Sequence, residues 1–530
     1  MAEFKSIALN HPSTYQGPNS GQKIGLALGL AGVFALVLAG INVGLPANGF
    51  VLALSLALIT AGTIVYARAQ YLPHPEGIKN NYNFFSALTY RGTIAYFLGI
   101  VLTGFYIILY WYPEYLGLAS GDGANTGLVA FFDPLSMLLK GEPASQWFVY
   151  GTLYTLAILA LGYKFILKYR HNRYQVFRTV SVMFFQLSFA FMLPELLIRL
   201  NQPYNNFVNM WPLNYYFFDS WHINELLAHG NFGLLMLFFG LAMIFIISPI
   251  LTYKYGKRWY CSWVCGCGGL AETAGDPFRH QSDKTLKAWK FERISIHLVT
   301  VFATIMTVGI IHSYLSANDD VWLNKNTFTI GMVVLLALIA GIFTWWKRDY
   351  FNKEARAIIL SVLGIMVASI LINAYSTPGE IFFIDAKALR SSYGFLIGSA
   401  FSGVIGVGFY PLLGNRVWCR FGCPMAAILG FQQRIFSKFR ITVNGGQCIS
   451  CGNCSVYCEM GIDVRAYAQK GQNVVRSSCV GCGVCSAVCP RGVLKLENGP
   501  NSGQSRMNES AVVMGHNDEV DLLSELQTKQ

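Results

Sequence analysis

The chain has 530 residues, of which 54% are hydrophobic, 15% aromatic and only 12% charged, with a net charge of +12. Those proportions lie outside the range of soluble globular domains and describe a membrane protein. The positive charge invites a nucleic-acid reading, which its distribution along the chain argues against.

Apolar runs able to cross a bilayer, for which roughly 20 residues suffice, recur ten times: about 24–44, 48–67, 92–112, 147–167, 177–198, 231–252, 294–315, 328–346, 357–375 and 392–412. They lack the period-two alternation of barrel strands, so each is expected to be a helix that satisfies its own backbone groups. The first 22 residues are polar and lack the apolar segment of a removable signal peptide. The N-terminal tail and the even-numbered connections hold 22 Lys and Arg residues, against five in the odd-numbered ones. The odd connections are acidic instead, with Glu114, Asp122, Asp133, Glu142, Asp319, Asp320, Glu380 and Asp385. This asymmetry orients a multi-pass protein of the bacterial inner membrane with both termini cytoplasmic. It serves the lipid bilayer and gives no reason to expect nucleic acid.

No cysteine precedes residue 261; three then fall within GKRWYCSWVCGCGG, at Cys261, Cys265 and Cys267. A second copy, GNRVWCRFGCP at 414–424, matches Gly256 to Gly414, Arg258 to Arg416, Cys261 to Cys419 and Cys265 to Cys423. Each copy follows a span carrying a proline near its end, Pro249 or Pro411. Four crossings separate the copies, so both emerge on the same face, as in parallel membrane repeats. The four cysteines are then candidates for a further centre, a third Fe–S cluster or a thiophilic copper ion. A redox thiol pair or a structural turn is the plainer alternative, because C-x3-C alone is a weak metal signature. Cys267 could substitute for Cys265 as a ligand or simply be buried. Arg258 and Arg416 could stabilise thiolates, though the cationic belt of the inner interface also accounts for them.

Residues 425–440 alternate apolar and basic positions at helical spacing, which suits a helix on an anionic leaflet and equally a solvated linker helix. Two matching runs follow. CISCGNCSVYC holds Cys448, Cys451, Cys454 and Cys458, and CVGCGVCSAVCP holds Cys479, Cys482, Cys485 and Cys489. Each is C-x2-C-x2-C-x3-C, the spacing of a bacterial-type ferredoxin with two 4Fe–4S clusters, in which the fourth cysteine of each run serves the other cluster. The expected sets are Cys448, Cys451, Cys454 and Cys489 for the first cluster, and Cys479, Cys482, Cys485 and Cys458 for the second. Zinc would need ligands in two pairs, which neither run offers. A disulfide framework conflicts with a cytoplasmic location. Glu459 stands after Cys458 where Pro490 stands after Cys489, and a carboxylate there should oppose reduction. Residues 497–530 are polar, rich in Gly, Ser and Asn, and read as a disordered tail.

The chain therefore reads as an all-α polytopic helical bundle of about ten spans with a small α+β ferredoxin-like C-terminal domain. It divides into residues 1–252, six spans; 253–413, the first C-x3-C loop and four spans; 414–496, the second C-x3-C-P motif and the ferredoxin; and 497–530, the tail. With WCRFGCP and the two ferredoxin runs in place, it resembles the NapH/NosR/CcoG-like polytopic membrane ferredoxins over roughly residues 230–495. YCSWVCGCGG departs from that pattern, with Gly266 in place of the proline and Cys267 as an extra thiol. The resemblance implies electron transfer between a quinone or quinol pool, or a cytoplasmic donor, and another redox carrier, as a redox subunit of an oxidoreductase system. Copper handling or cytochrome-oxidase-type maturation is the alternative it allows, and a redox-sensing transporter is a third.

Within the membrane, His229 and His312 share a depth at which a bis-imidazole haem b is conceivable, but each reads more simply as an interfacial hydrogen-bonder. His297 has no obvious partner. Glu195, in LPELL, is either a proton acceptor for quinol or the ion-pair partner of Arg199 one turn on.

Overall fold

A computed structural model of the protein describes residues 18–41, 49–73, 91–120, 123–318, 323–342, 353–376 and 385–499. Seven of its helices are long and apolar enough to cross a membrane: Ser20–Gly40, Gly49–Tyr71, Thr93–Trp111, Gln146–Lys168, Arg173–Arg199, Gly230–Tyr255 and Leu286–Ala317. They coincide with the first seven expected spans. Of the other three, two fall on shorter apolar helices, Lys325–Gly341 and Leu360–Ile372. The tenth, 392–412, falls on a helical stretch interrupted between Ile405 and Tyr410. Among the described residues seven helices are thus long and apolar enough to span, and a count of ten is not confirmed. Asp122, Asp319, Asp320, Glu380 and residues 500–530 of the tail lie outside the described residues, whereas Glu497 belongs to a strand.

Local sequence explains where these helices start and how they touch. Asn19, Ser145, Asn172 and Thr285 cap the first, fourth, fifth and seventh spans with side-chain acceptors. The first two spans approach through small residues: Ser55 donates to the Gly32 carbonyl at 2.8 Å. A β-carbon on Gly62 would come within 2.4 Å of the Gly29 nitrogen. Close backbone approach of this kind is the usual source of helix association in lipid. The fifth and sixth spans each contain a π-helical segment, Gln186–Met192 and Met243–Ile247, a distortion frequent near functional sites.

Both C-x3-C loops sit at the ends of spans on one face, and the ferredoxin module docks there. Its two strands, β1 (Arg440–Val443) and β2 (Leu494–Glu497), pair antiparallel with Val443 opposite Leu494, and Val474 bridges to Ile441. One continuous buried cluster joins Cys261, Cys265, Cys419 and Cys423 to Cys454, Cys479, Cys485, Ile441 and Val443. The module and the motif loops therefore share a core. Helix Pro424–Phe436 belongs to it, burying Met425, Ala426, Leu429 and Gln433 against the sixth and seventh spans. Its apolar face is spent on protein, so it is neither a leaflet-bound helix nor a solvated linker.

Candidate metal centres

The two copies of the motif fold alike. Pro249 and Pro411 each open a short helix, and Gly256 (φ 69°) and Gly414 (φ 95°) end them in the left-handed region open to glycine. The first thiols, Cys261 and Cys419, lie on a short helical turn. The second thiols are N-caps: Cys265 of Gly266–Thr273 and Cys423 of Pro424–Phe436. The Ala426 N–H donates to the Cys423 sulfur at 3.4 Å. A helix N-terminus favours a thiolate at this position.

The structure brings these four thiols together, each 5–6% exposed. Cys423 faces Cys419, Cys261 and Cys265, and Cys267 points toward Cys265, Cys419 and Cys423. Burial pushes the Cys261 thiol up to about 12, against the opposing pull of Lys257. Cys265 is drawn down to about 7, first by the Cys267 thiol and then by the Gly268 and Cys267 N–H groups, against its burial. Cys267 thus lies beside the quartet, next to Cys265. Gly266 stands where the second copy has Pro424 because Gln186, in the π segment of the fifth span, fills the space beside it. A β-carbon there would lie 2.4 Å from the Gln186 amide oxygen.

The ferredoxin thiols also gather by set. Cys448, Cys451, Cys454 and Cys489 line one depression of about 370 Å³, open to solvent and shared with Pro490 and Ala468. Cys482, Cys479, Cys458 and Cys454 all lie near enough to act on the Cys485 thiol. Gly452, Gly481 and Gly483 take positive φ in the cysteine loops. All thirteen cysteines are free. Among the described residues, no three cysteine sulfurs lie within 4.8 Å of one another.

Between the quartet and the Cys482 loop runs a buried chain of alternating charges. Lys168 meets Asp276 at 2.5 Å, Asp276 meets Arg279 at 3.2 Å, and Arg279 meets Glu459 at 2.8 Å. Glu459 then meets Arg416 at 3.0 Å, Arg416 meets Glu272 at 2.6 Å, and Glu272 contacts Arg178. Arg416 also donates to the Cys419 sulfur at 3.5 Å, whereas Arg258 stacks on Phe439 and Tyr174. Glu459 is therefore no bare carboxylate opposing an added electron. Burial alone would raise its pKa, but Arg279, Arg416 and Arg178 hold it down to about 2, and the chain has cations at both ends. Glu272, Glu459 and the Cys482 sulfur do lie within 4.8 Å of one another, yet both carboxylates are already taken by arginines. Apart from Glu459, flagged by its departure from proline, no sequence signal marked Glu272, Arg178 or Arg279, because their partners lie up to 180 residues away.

The intramembrane candidates resolve differently. Glu195 is buried but not paired with Arg199, which instead donates to the Leu138 carbonyl. His229 places Nδ1 2.7 Å from the Glu225 carbonyl, and His312 is buried near the outer end of the seventh span. His297 is exposed on the lipid-facing surface of the same helix.

A buried, many-cysteine site on a bundle with seven span-length helices defines a membrane-type iron–sulfur protein. The comparisons agree. A family model described as a 4Fe-4S dicluster domain matches residues 440–490, and one described as a 4Fe-4S binding domain matches twice, at 236–284 and 396–442, once for each motif copy. The chain is 23% identical over 233 residues to "Putative electron transport protein YccM" of Escherichia coli (strain K12), an alignment covering 42% of this chain and 47% of that protein. The match thus spans about half the length of that relative. No solved structure matches the chain.

Proposed function

We propose that the protein carries electrons between a carrier at the cytoplasmic face and a quinone-class partner in the bilayer of the bacterial inner membrane, using three iron–sulfur centres held in series. Bound 4Fe–4S clusters supply one-electron storage at each thiol set. Cys448, Cys451, Cys454 and Cys489 would hold the outermost, where the exposed Cys451 offers access to a soluble or subunit partner. Cys479, Cys482, Cys485 and Cys458 would hold the second, and Cys261, Cys265, Cys419 and Cys423 the third.

The single observation that carries this reading is the docking of the second set onto the quartet. Ser262, next to Cys261, donates to the Val480 carbonyl at 2.9 Å, and Gln433 donates to the Cys479 carbonyl at 2.9 Å. Tyr174 and Gln175 donate to the Gly481 and Cys482 carbonyls. On the membrane side, Tyr154, Tyr150, Tyr106 and Tyr110 follow one another at ring separations of 5.3, 6.0 and 5.9 Å, beginning beside Cys265 and Cys267. Their hydroxyls and faces suit a quinone head group.

Iron and labile sulfide, measured with EPR on the purified protein, test the proposal. The wild type should hold about twelve irons, and Cys261→Ser and Cys419→Ser about eight, with the ferredoxin signals kept. About eight irons in all three would remove the third centre.

A further inference from the structure

Lys257 is 1% exposed, yet among the described residues it belongs to no ion pair. Its Nζ has one hydrogen-bond partner, the Ala426 carbonyl at 3.4 Å. Other buried cations of the motif face are treated differently: Arg178, Arg279, Arg416 and Arg420 each meet a carboxylate. An ammonium ion taken out of water without a counter-charge costs several kcal/mol, so the position calls for an anion that the polypeptide itself does not supply.

What surrounds Lys257 is sulfur from two thiol sets. Its charge acts on Cys261 of the quartet and on Cys479 of the second ferredoxin set. Gln433 ties the Lys257 backbone to the second ferredoxin loop, accepting from the Lys257 main-chain N–H at 2.8 Å while donating to the Cys479 carbonyl at 2.9 Å. The twin position in the second copy is Asn415, which faces a carboxylate, Glu459, at 3.2 Å. The fold thus accepts a neutral side chain at this point of the motif, and it uses a cation in the copy where no carboxylate is near.

We propose that Lys257 is the shared counter-cation of the quartet centre and the second ferredoxin cluster, a positioning residue that favours the reduced state of both. A cubane held by four thiolates is anionic, and each added electron makes it more negative by one charge, with no bond made or broken and the ammonium keeping its proton. A fixed cation between two such groups stabilises the electron on either side and eases its passage between them. The inference rests on the three-centre reading above.

The test is a potentiometric EPR titration of the intact protein, wild type beside Lys257→Gln, Lys257→Met and Lys257→Arg, with iron counted in each. In the neutral variants both inner signals should need a more strongly reducing poise, while the signal of the Cys448, Cys451, Cys454 and Cys489 set stays in place. The Arg variant should titrate like the wild type. Unmoved potentials, or a shift in only one inner signal, would overturn the shared role. Failure of the neutral variants to assemble, rescued by Arg, supports a required cation; failure of Arg as well overturns it, because shape would then be what matters. A wild type holding about eight irons would instead defeat the three-centre reading, independently of any Lys257 effect.

Discussion

Glu459 stands directly after a cluster-type cysteine, where the second run has proline, and its carboxylate is clasped by arginines from three separate parts of the chain. Removing one member of such a buried network typically costs about 3–5 kcal/mol, because the partners are left charged and unpaired. Glu459→Ala should therefore loosen the ferredoxin module from the membrane domain, with limited proteolysis cutting between Phe436 and Arg440 at protease levels the wild type survives. Glu459→Gln keeps the shape and removes the charge, leaving the arginines in excess. Its neighbouring cluster should reduce more easily than in the wild type, in the same direction as replacing a solvent-exposed carboxylate but to a larger degree. The sequence showed that this residue broke a pattern. It could not show its arginine partners, since contacts as distant as that of Arg279, 180 positions away, leave no local trace.

At the scale of elements, helix Gly266–Thr273 is the piece that sets the first motif against the fifth span. A β-carbon on Gly268 would lie 2.1 Å from the Cys261 carbonyl oxygen, and one on Gly269 would lie 2.2 Å from Val182 Cγ1. The first clash is with backbone and cannot be relieved by a rotamer. Gly268→Ala should displace the Cys261 turn at a cost of about 1–3 kcal/mol, and chemical analysis should find the iron attributable to the quartet reduced while the ferredoxin EPR signals persist. The spacing of the ferredoxin cysteines was legible residue by residue, because a cubane-binding loop is local. Helix Pro424–Phe436 was legible only as amphipathic: an apolar stripe says that something covers it, and both lipid and protein qualify. Likewise, two of the expected spans fall on shorter apolar helices, because hydropathy marks an apolar segment without fixing the length of helix that crosses.

For the whole molecule, the motif face is held by charge as much as by apolar contact. His280, on the turn between the first motif and the seventh span, has its pKa lowered to about 4, first by burial and then by Lys284, Lys168 and Arg91. An imidazole that stays neutral in the fold but protonates freely when unfolded contributes stability above its ordinary value of 6.5, lost as pH falls from there toward 4. Thermal stability of the detergent-solubilised protein should be level above about pH 6.5 and decline below it, and His280→Gln should flatten that decline. A decline below pH 6.5 that the substitution leaves unchanged would overturn the assignment, because Asp276 and Glu459, with their depressed values, matter only at lower pH.

The thiols Cys261, Cys265, Cys419 and Cys423 lie beneath the docked module, with Ser262 and Gln433 fastened to the loop above them. A donor delivering iron and sulfide has no route to them once that lid of protein is down. On the proposed three-centre reading, biogenesis then runs in a fixed order, with the innermost set filled while the carboxyl-terminal segment is still emerging or held away, and the outer sets completed afterward. Cells starved of iron during synthesis and resupplied later should regain the outer signals and not the inner one.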